Sequence, residues 1–265
     1  MPALQALYYP GAKTRQLPQI LPHLLPLLRD GDEFREPFAG SGAVSLAVMA
    51  RCPGLLFWLN DRDPAMACLW WALRYHGTAL VTLIEEFSPT PEAFEAFKRE
   101  TDALLNCPDD PNEIIRVGFM KLARHRVSHS GYGSGIRGGR HQEAFKIDSR
   151  WNVQRMRQDI LLISNRLRRC EARITGHDWS RLLDADRQRR ICYYLDPPYL
   201  LDRDDWEQQF FSHGFRYEDH VNFAETLKNF PHPWVLTLGD SYRVRRLYEW
   251  AHVVEIGARE LMIMN

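Results

Sequence analysis

A hydrophobic run that ends in two adjacent prolines is the feature that most constrains this chain. Residues 191–195 read Ile-Cys-Tyr-Tyr-Leu, and Asp196-Pro197-Pro198-Tyr199 follow directly. The prolines prevent a helix from continuing through the segment, so the run predicts a buried strand that ends in a rigid turn. In an open α/β sheet, ligands bind beyond the carboxyl ends of the strands, so Asp196 and Tyr199 are expected to face the crevice. An ordinary strand-ending turn is the alternative, because Asp and Pro are common turn residues.

A second strand followed by a glycine turn lies much earlier in the chain. Residues 32–38 predict a strand, and Phe38-Ala39-Gly40-Ser41-Gly42 lead into a helix predicted from about residue 43 to residue 51. Glycine lets the backbone approach a ligand closely, and the N-terminus of the helix offers free N–H groups to an anionic group such as a carboxylate. A phosphate or dinucleotide site would use a similar turn, but the third glycine of a GxGxxG motif is Ser45 here.

An acidic residue follows the next predicted strand, residues 55–59. Asp61 lies some 20 residues after the glycines, where an α/β fold uses a carboxylate to bind ribose hydroxyls. Asp61 is therefore a candidate cofactor ligand. A helix N-cap is the alternative, although Asp63, which precedes Pro64, suits that role better.

Three turns in a fixed order carry a family resemblance. Tyr9-Pro10-Gly11-Ala12-Lys13 comes first, Phe38 to Gly42 second and Asp196 to Tyr199 third, with the acidic strand end Asn60-Asp61 between them. This order resembles the Dam-like DNA adenine-N6 methyltransferases, which use S-adenosylmethionine, and the resemblance extends from Tyr9 to Asn265. It implies a Rossmann-like α/β fold with a mostly parallel sheet, to which residues 253–256 and 260–264 add a C-terminal antiparallel hairpin.

The resemblance also implies roles for individual residues. Tyr9 and Lys13 are expected to lie against the cofactor, with the lysine near its methionine carboxylate. Asp178 matches a residue that contacts the adenine ring of the cofactor in relatives, although an N-cap for a helix at Ser180 to Leu183 fits Asp178 equally well. The expected cofactor-binding set is Tyr9, Lys13, Phe38, Ala39, Gly40, Ser41, Gly42, Asp61, Asp178 and Asp196.

The chemistry that such an enzyme performs explains the Asp-Pro-Pro-Tyr turn. The exocyclic amine of adenine is a poor nucleophile because its lone pair is delocalised into the ring. Hydrogen bonds to the Asp196 carboxylate and the Pro197 carbonyl would localise that pair, while Pro198 stiffens the turn and Tyr199 stacks on the base. Because the amine is inaccessible inside a duplex, the base must be flipped out of the helix.

Residues 78–169 interrupt the alternation of strands and helices. Charge is segregated there: residues 85–113 hold nine acidic and two basic residues, and residues 116–169 hold thirteen basic and three acidic ones. Local basic clustering favours a polyanion, although a solvated helix face would also account for part of it. The Gly- and Arg-rich segment within residues 127–149 suits a flexible loop that orders on DNA, with a plain flexible linker as the alternative.

The resemblance makes this insertion the target-recognition region. It implies two units, a catalytic one formed by residues 1–77 and 170–265 and an inserted helical one formed by residues 78–169. Double-stranded DNA is the expected partner, and the candidate DNA-binding residues are Arg124, Arg126, Tyr132, Arg137, Arg140 and Lys146.

Composition limits the other functional classes. The formal net charge is zero, so no global charge indicates nucleic acid. Five scattered cysteines without a CxxC pair predict reduced thiols in the cytoplasm, with the enzyme on the nucleoid when it binds DNA. His125 and His129 have no third ligand nearby, so no metal is expected, and neither a signal peptide nor a membrane span is predicted.

Other readings of the same residues stay open. An RNA or protein-amide methyltransferase would use a similar turn, and a catalytically silent DNA-binding protein could keep the fold. A companion restriction endonuclease is compatible with the sequence, but no direct protein partner is implied.

Overall fold

A computed structural model describes Leu7 and residues 11–129, 131–139, 146–184, 189–200 and 215–265. Its centre is a seven-stranded sheet in the order β3-β2-β1-β4-β5-β7-β6. The strands are β1 (Glu33–Glu36), β2 (Leu56–Asn60), β3 (Arg173–Thr175), β4 (Ile191–Leu195), β5 (Trp234–Gly239), β6 (His252–Ile256) and β7 (Glu260–Met264). The first five are parallel, and β7 pairs antiparallel with both β5 and β6. The predicted mixed α/β fold with a closing hairpin is confirmed.

Helices cover both faces of the sheet. In the described part of the chain they are α1 (Leu17–Leu24), α2 (Ala43–Met49), α3 (Pro64–Tyr75), α4 (Gly77–Glu86), α5 (Pro91–Asp102), α6 (Pro111–Val127), α7 (Val153–Arg169), α8 (Trp179–Asp184), α9 (Tyr217–Lys228) and α10 (Tyr242–Leu247). None of these helices combines the length and the apolar character that crossing a bilayer requires.

Two apolar clusters explain why the central strands read as continuous hydrophobic runs. On β4, Cys192 and Tyr194 belong to one cluster, whereas Ile191, Tyr193 and Leu195 belong to the other. A strand alternates its side chains between the two faces, so a strand that is buried on both faces needs apolar residues throughout. This double burial holds the carboxyl end of β4, and the turn that follows it, in a fixed place.

The inserted helices pack against the sheet's own helices. α7 contacts mainly α3 and α4. α6 packs on α3, and Gly118 approaches the backbone of Leu69 closely there. A Cβ added to Gly118 would lie 2.9 Å from the Cα of Leu69. The insertion is therefore continuous with the core of the sheet domain.

The glycine turn after β1 lies on a tryptophan. Gly42 has a φ of 64°, and a Cβ at this position would lie 2.2 Å from the indole ring of Trp70. The Trp70 indole N–H also donates to the Gly40 carbonyl at 3.1 Å. Both backbone conformation and space therefore require glycine at position 42.

We expect Gly42→Ala to lower the free energy of unfolding well beyond the effect of conformation alone. The matched control is Gly257→Ala, since Gly257 has a φ of 63° but no atom of the described residues lies within 4 Å of the added Cβ. Left-handed strain should cost each variant about 1–2 kcal/mol. The overlap with Trp70 should add about 1–3 kcal/mol to Gly42→Ala only. Urea unfolding measures both, and equal losses would contradict the packing argument.

Candidate active site

The Asp196 carboxylate is held at both of its oxygen atoms. Asp196 is the residue that follows β4, and Lys13 donates a hydrogen bond from Nζ to Oδ2 of Asp196 at 2.8 Å. Thr237 on β5 donates from Oγ1 to its Oδ1 at 2.8 Å, and the same Thr237 oxygen lies 2.8 Å from the Tyr194 hydroxyl. The N-terminal segment and two neighbouring strands thus orient one carboxylate at the edge of the sheet.

Burial dominates the electrostatics of this carboxylate. It raises the pKa of Asp196, and the charge and hydrogen bond of Lys13 oppose that rise. Lys13 is only 3% exposed and also donates to the Gly11 carbonyl. A buried ammonium and a buried carboxylate each need the other as a partner, so they form a single charge-balanced unit.

The glycine turn lies next to this unit because β1 and β4 are adjacent and parallel. Within the turn, Gly40 and Gly42 have positive φ angles, Ser41 is buried, and Ala39 donates its N–H to the Asn60 carbonyl. Phe38 packs edge-on against Phe215 and Phe223. Residues 38–42 and Asp196 therefore meet at the same edge of the sheet.

Asp61 supports the glycine turn from β2. Its Oδ2 accepts a hydrogen bond from the Gly40 N–H at 2.8 Å, and its Oδ1 accepts one from the Asp63 N–H at 3.0 Å. Burial and the neighbouring Asp63 charge raise the pKa of Asp61 to about 6. Asp63, rather than Asp61, caps α3 by accepting from Ala65 and Met66, as the sequence indicated.

Asn60 joins the three loops at this edge, and sequence reasoning gave it no role. Its amide donates to the Pro37 and His177 carbonyls, and its oxygen accepts from the His177 N–H and the Thr175 hydroxyl. Both N–H donors and both oxygen lone pairs of the side chain are therefore used. An amide at the end of a buried strand is the only signal that could have pointed to it.

Asp178 lies beyond β3, beside a pocket of about 420 Å³ that is lined by Arg62, Pro64, Leu105, Asn106, Cys107, Gly176, His177 and Asp178. Oδ1 of Asp178 accepts from the N–H and hydroxyl of Ser180, which is the expected capping geometry for α8. Its Oδ2 lies 3.4 Å from Arg62, in an exposed ion pair. The capping role is thus present, and the side chain also borders a pocket large enough for a nucleoside.

Tyr9 and Arg140 lie outside the described residues. Among the other candidate DNA-binding residues, Tyr132 and Lys146 are exposed, Arg137 is half-buried with Nε donating to the Ser149 hydroxyl, and Arg126 is half-buried with Nε donating to the Arg150 carbonyl.

Arg124 does not face solvent, so its assignment as a DNA contact is corrected. Its guanidinium donates to the Gly133 carbonyl at 2.7 Å, to the Thr101 hydroxyl and to the Asp102 carboxylate. Nδ1 of the neighbouring His125 lies 2.6 Å from the Gly131 carbonyl oxygen. Both side chains are buried and hold the glycine-rich segment rather than a ligand.

The same contacts change the interpretation of the glycine-rich segment. Residues 131–139 are folded against the end of α6, with a β-bridge between Ser128 and Ile136, instead of forming an unanchored flexible loop. A Cβ on Gly133 would lie 2.9 Å from Nε of Arg124. Gly133 is therefore needed for close packing in this part of the insertion.

Comparison with known proteins gives the family. A family model described as D12 class N6 adenine-specific DNA methyltransferase matches residues 9–262. The chain belongs to that family. A comparison with curated individual proteins found no match. The adenine-methyltransferase family that the sequence resembled is thus confirmed, as is methylation of adenine in DNA as the family's activity.

Glu36, the last residue of β1, has a carboxyl group with a raised pKa. It is buried, accepts from the N–H and hydroxyl of Ser45, and interacts electrostatically with Asp196 and Lys13. Burial raises the pKa of Glu36 to about 8, so the carboxyl is protonated at neutral pH. Sequence reasoning did not identify it, because its burial depends on neighbours that are distant in the chain.

We expect this proton to make stability depend on pH. Between the ordinary carboxyl pKa of 4.5 and the raised value of about 8, the folded state binds a proton that the unfolded state has lost. The stabilisation is complete below the ordinary value and is lost as pH rises through about 8. The free energy of unfolding of wild type, measured in urea, should therefore fall more steeply across this window than that of Glu36→Gln. Parallel curves would contradict the assignment.

Proposed function

We propose that the chain transfers a methyl group from S-adenosylmethionine to N6 of an adenine that is flipped out of double-stranded DNA, at a specific site. The observation that carries the proposal is the position of Asp196. Its carboxylate is oriented by Lys13 and Thr237 at the edge where the glycine turn and Asp61 also lie. Membership of the adenine-specific family names the reaction to which this arrangement is suited.

The residues at this edge fit the proposed cofactor. N–H groups at the start of α2 suit its carboxylate, Asp61 suits ribose hydroxyls, and the pocket beside Asp178 suits the adenine ring. The proposed cofactor-binding residues are Tyr9, Lys13, Phe38, Ala39, Gly40, Ser41, Gly42, Asp61, Asp178 and Asp196. When bound, S-adenosylmethionine supplies an electrophilic methyl group on a sulfonium.

The Asp-Pro-Pro-Tyr turn would act on the target amine by orientation. Both Asp196 oxygens keep a lone pair beyond their bonds to Lys13 and Thr237, so the carboxylate can still accept an N–H of the amine. The Pro197 carbonyl would accept the second N–H, and Tyr199 would stack on the base. Two fixed acceptors localise the nitrogen lone pair, and the base is held for in-line transfer.

The inserted helices are proposed to read the DNA. Arg126, Tyr132, Arg137 and Lys146 are at least partly exposed on the segments around the end of α6 and the start of α7, and Arg140 lies between them in the sequence. Cationic and aromatic side chains close together suit contacts to phosphates and unstacked bases. Residues 78–169 would then form the recognition unit, and residues 1–77 and 170–265 the catalytic unit.

The decisive experiment is transfer of labelled methyl groups to genomic DNA and, in parallel, to RNA, followed by mapping of the modified base. We expect label on adenine N6 in DNA within one sequence context. Asp196→Asn should abolish transfer, because an amide cannot replace the charged acceptor. The matched control is Asp240→Asn, which alters an exposed carboxylate at the end of β5 that is paired with Arg245.

Two outcomes would refute the proposal. Full transfer by Asp196→Asn would exclude the catalytic role of the turn, and label only in RNA would exclude the proposed substrate.

Salt dependence tests the proposed DNA surface. We expect Lys146→Ala combined with Arg137→Ala to weaken DNA binding and to reduce the slope of log affinity against log salt by about one per lost phosphate contact. The matched control is Arg168→Ala with Arg169→Ala, which are exposed at the other end of α7, next to the start of β3. The control should keep the wild-type slope, and an equal change in both pairs would argue against this surface.

A further inference from the structure

Within the described part of the chain, three buried polar atoms lie close together at the edge of the cleft without a hydrogen-bond partner. They are the hydroxyl of Tyr199, Oε2 of Glu260 and Oε1 of Gln16. Glu260 faces both of the other side chains. Buried polar groups are almost always paired, and an unpaired cluster beside a reactive turn therefore calls for a functional explanation.

The C-terminal hairpin brings Glu260 to this point. β7 runs antiparallel to β5, so its first residue, Glu260, pairs with Gly239, the last residue of β5. The carboxyl ends of the parallel strands and the start of β7 share one edge of the sheet. Glu260 thereby reaches the same edge as Asp196, although it comes from a strand that runs in the opposite direction.

Two contacts fix the position of the Tyr199 ring without involving its hydroxyl group. A Cβ on Gly239 would lie 3.0 Å from Cδ2 of Tyr199, so the ring packs closely on the backbone of β5. Nζ of Lys13 lies 4.9 Å from the ring centroid. These two contacts leave the hydroxyl end of the ring beside two carboxylates, those of Glu260 and Asp196.

The charged and titratable groups around Glu260 determine which side chain donates the hydrogen bond between Tyr199 and Glu260. Lys13 and Gln16 face it from the N-terminal segment, and Asp196, Tyr199 and Tyr194 face it from β4 and the following turn. Burial, Asp196 and Glu260 all raise the pKa of Tyr199, so its hydroxyl keeps its proton. Tyr199 is then the donor, and a carboxylate oxygen of Glu260 is the acceptor.

We propose that Glu260 is a positioning residue, which accepts a hydrogen bond from the Tyr199 hydroxyl and so holds the tyrosine ring ready to stack on the target base. The inference rests on the proposed function, because the stacked base is its substrate. Glu260 touches neither cofactor nor reacting atoms in this role and acts only through Tyr199.

A double-mutant cycle in the full-length chain tests the coupling. Glu260→Ala and Tyr199→Phe should each lower kcat about ten- to hundredfold through a misplaced ring. The double variant should be no slower than the slower single variant, because both changes remove the same contact. KM for S-adenosylmethionine should stay at the wild-type value in all three.

A conservative variant and a matched control sharpen the kinetic result. Glu260→Gln retains an accepting oxygen and should recover most of the kcat that Glu260→Ala loses. Glu255→Ala removes a carboxylate from the adjacent strand β6, where Glu255 is 70% exposed and paired with Arg245, and should keep wild-type kcat. Losses that multiply in the double variant, or a loss of cofactor affinity without a change in kcat, would overturn the inference.

The same four proteins of the cycle, measured by urea unfolding, report the contact without any methylation. Non-additive free energies of unfolding are expected for Tyr199→Phe and Glu260→Ala, and additive ones would overturn the contact. If wild type transferred no methyl group to DNA, the proposed function would fail, while this stability cycle would still judge the pairing of Glu260 with Tyr199.

Discussion

An ion pair between the buried Lys13 and the half-buried Asp196 holds the candidate active site together. The lysine is 3% exposed and the carboxylate 20% exposed, and the two atoms lie 2.8 Å apart. Removal of one partner from such a pair leaves an uncompensated buried charge, which typically costs about 3–5 kcal/mol. The N-terminal segment and the turn after β4 therefore depend on each other, although Lys13 and Asp196 are 183 residues apart in the sequence.

The rest of the edge is arranged around that pair by side chains that fix loops. Asn60 ties the loops after β1 and β3 together, and Asp61 holds the N–H of Gly40. These bonds form within the protein itself, so the glycine turn has its shape before any ligand arrives. Pre-organisation of this kind suits a reaction that depends on orientation more than on a strong base.

The insertion, residues 78–169, places its cationic side chains differently from what its composition indicated. Its glycines and arginines predicted a flexible, basic loop, yet Arg124 and His125 turn inward and bind the carbonyls of Gly133 and Gly131. Lys121 likewise pairs with Asp63 at 2.6 Å and ties α6 to the start of α3. A sequence shows that a region is basic. It does not show which cations form ion pairs inside the protein, as Arg124 does with Asp102.

What the sequence determined by itself is the set of strand ends and the turns that follow them. Prolines after residue 196, glycines at positions 40 and 42, and runs of apolar residues act locally, so they predicted the central strands and the turns that hold the candidate site residues. The order of those turns carried the family resemblance that implied the α/β fold. Only the tertiary structure decided the partners and the charge states: Thr237 on Asp196, the protonated Glu36, the buried Arg124 and the approach of Glu260 to Tyr199. These depend on burial and on contacts between residues far apart in the chain, and neither quantity is encoded in a local pattern.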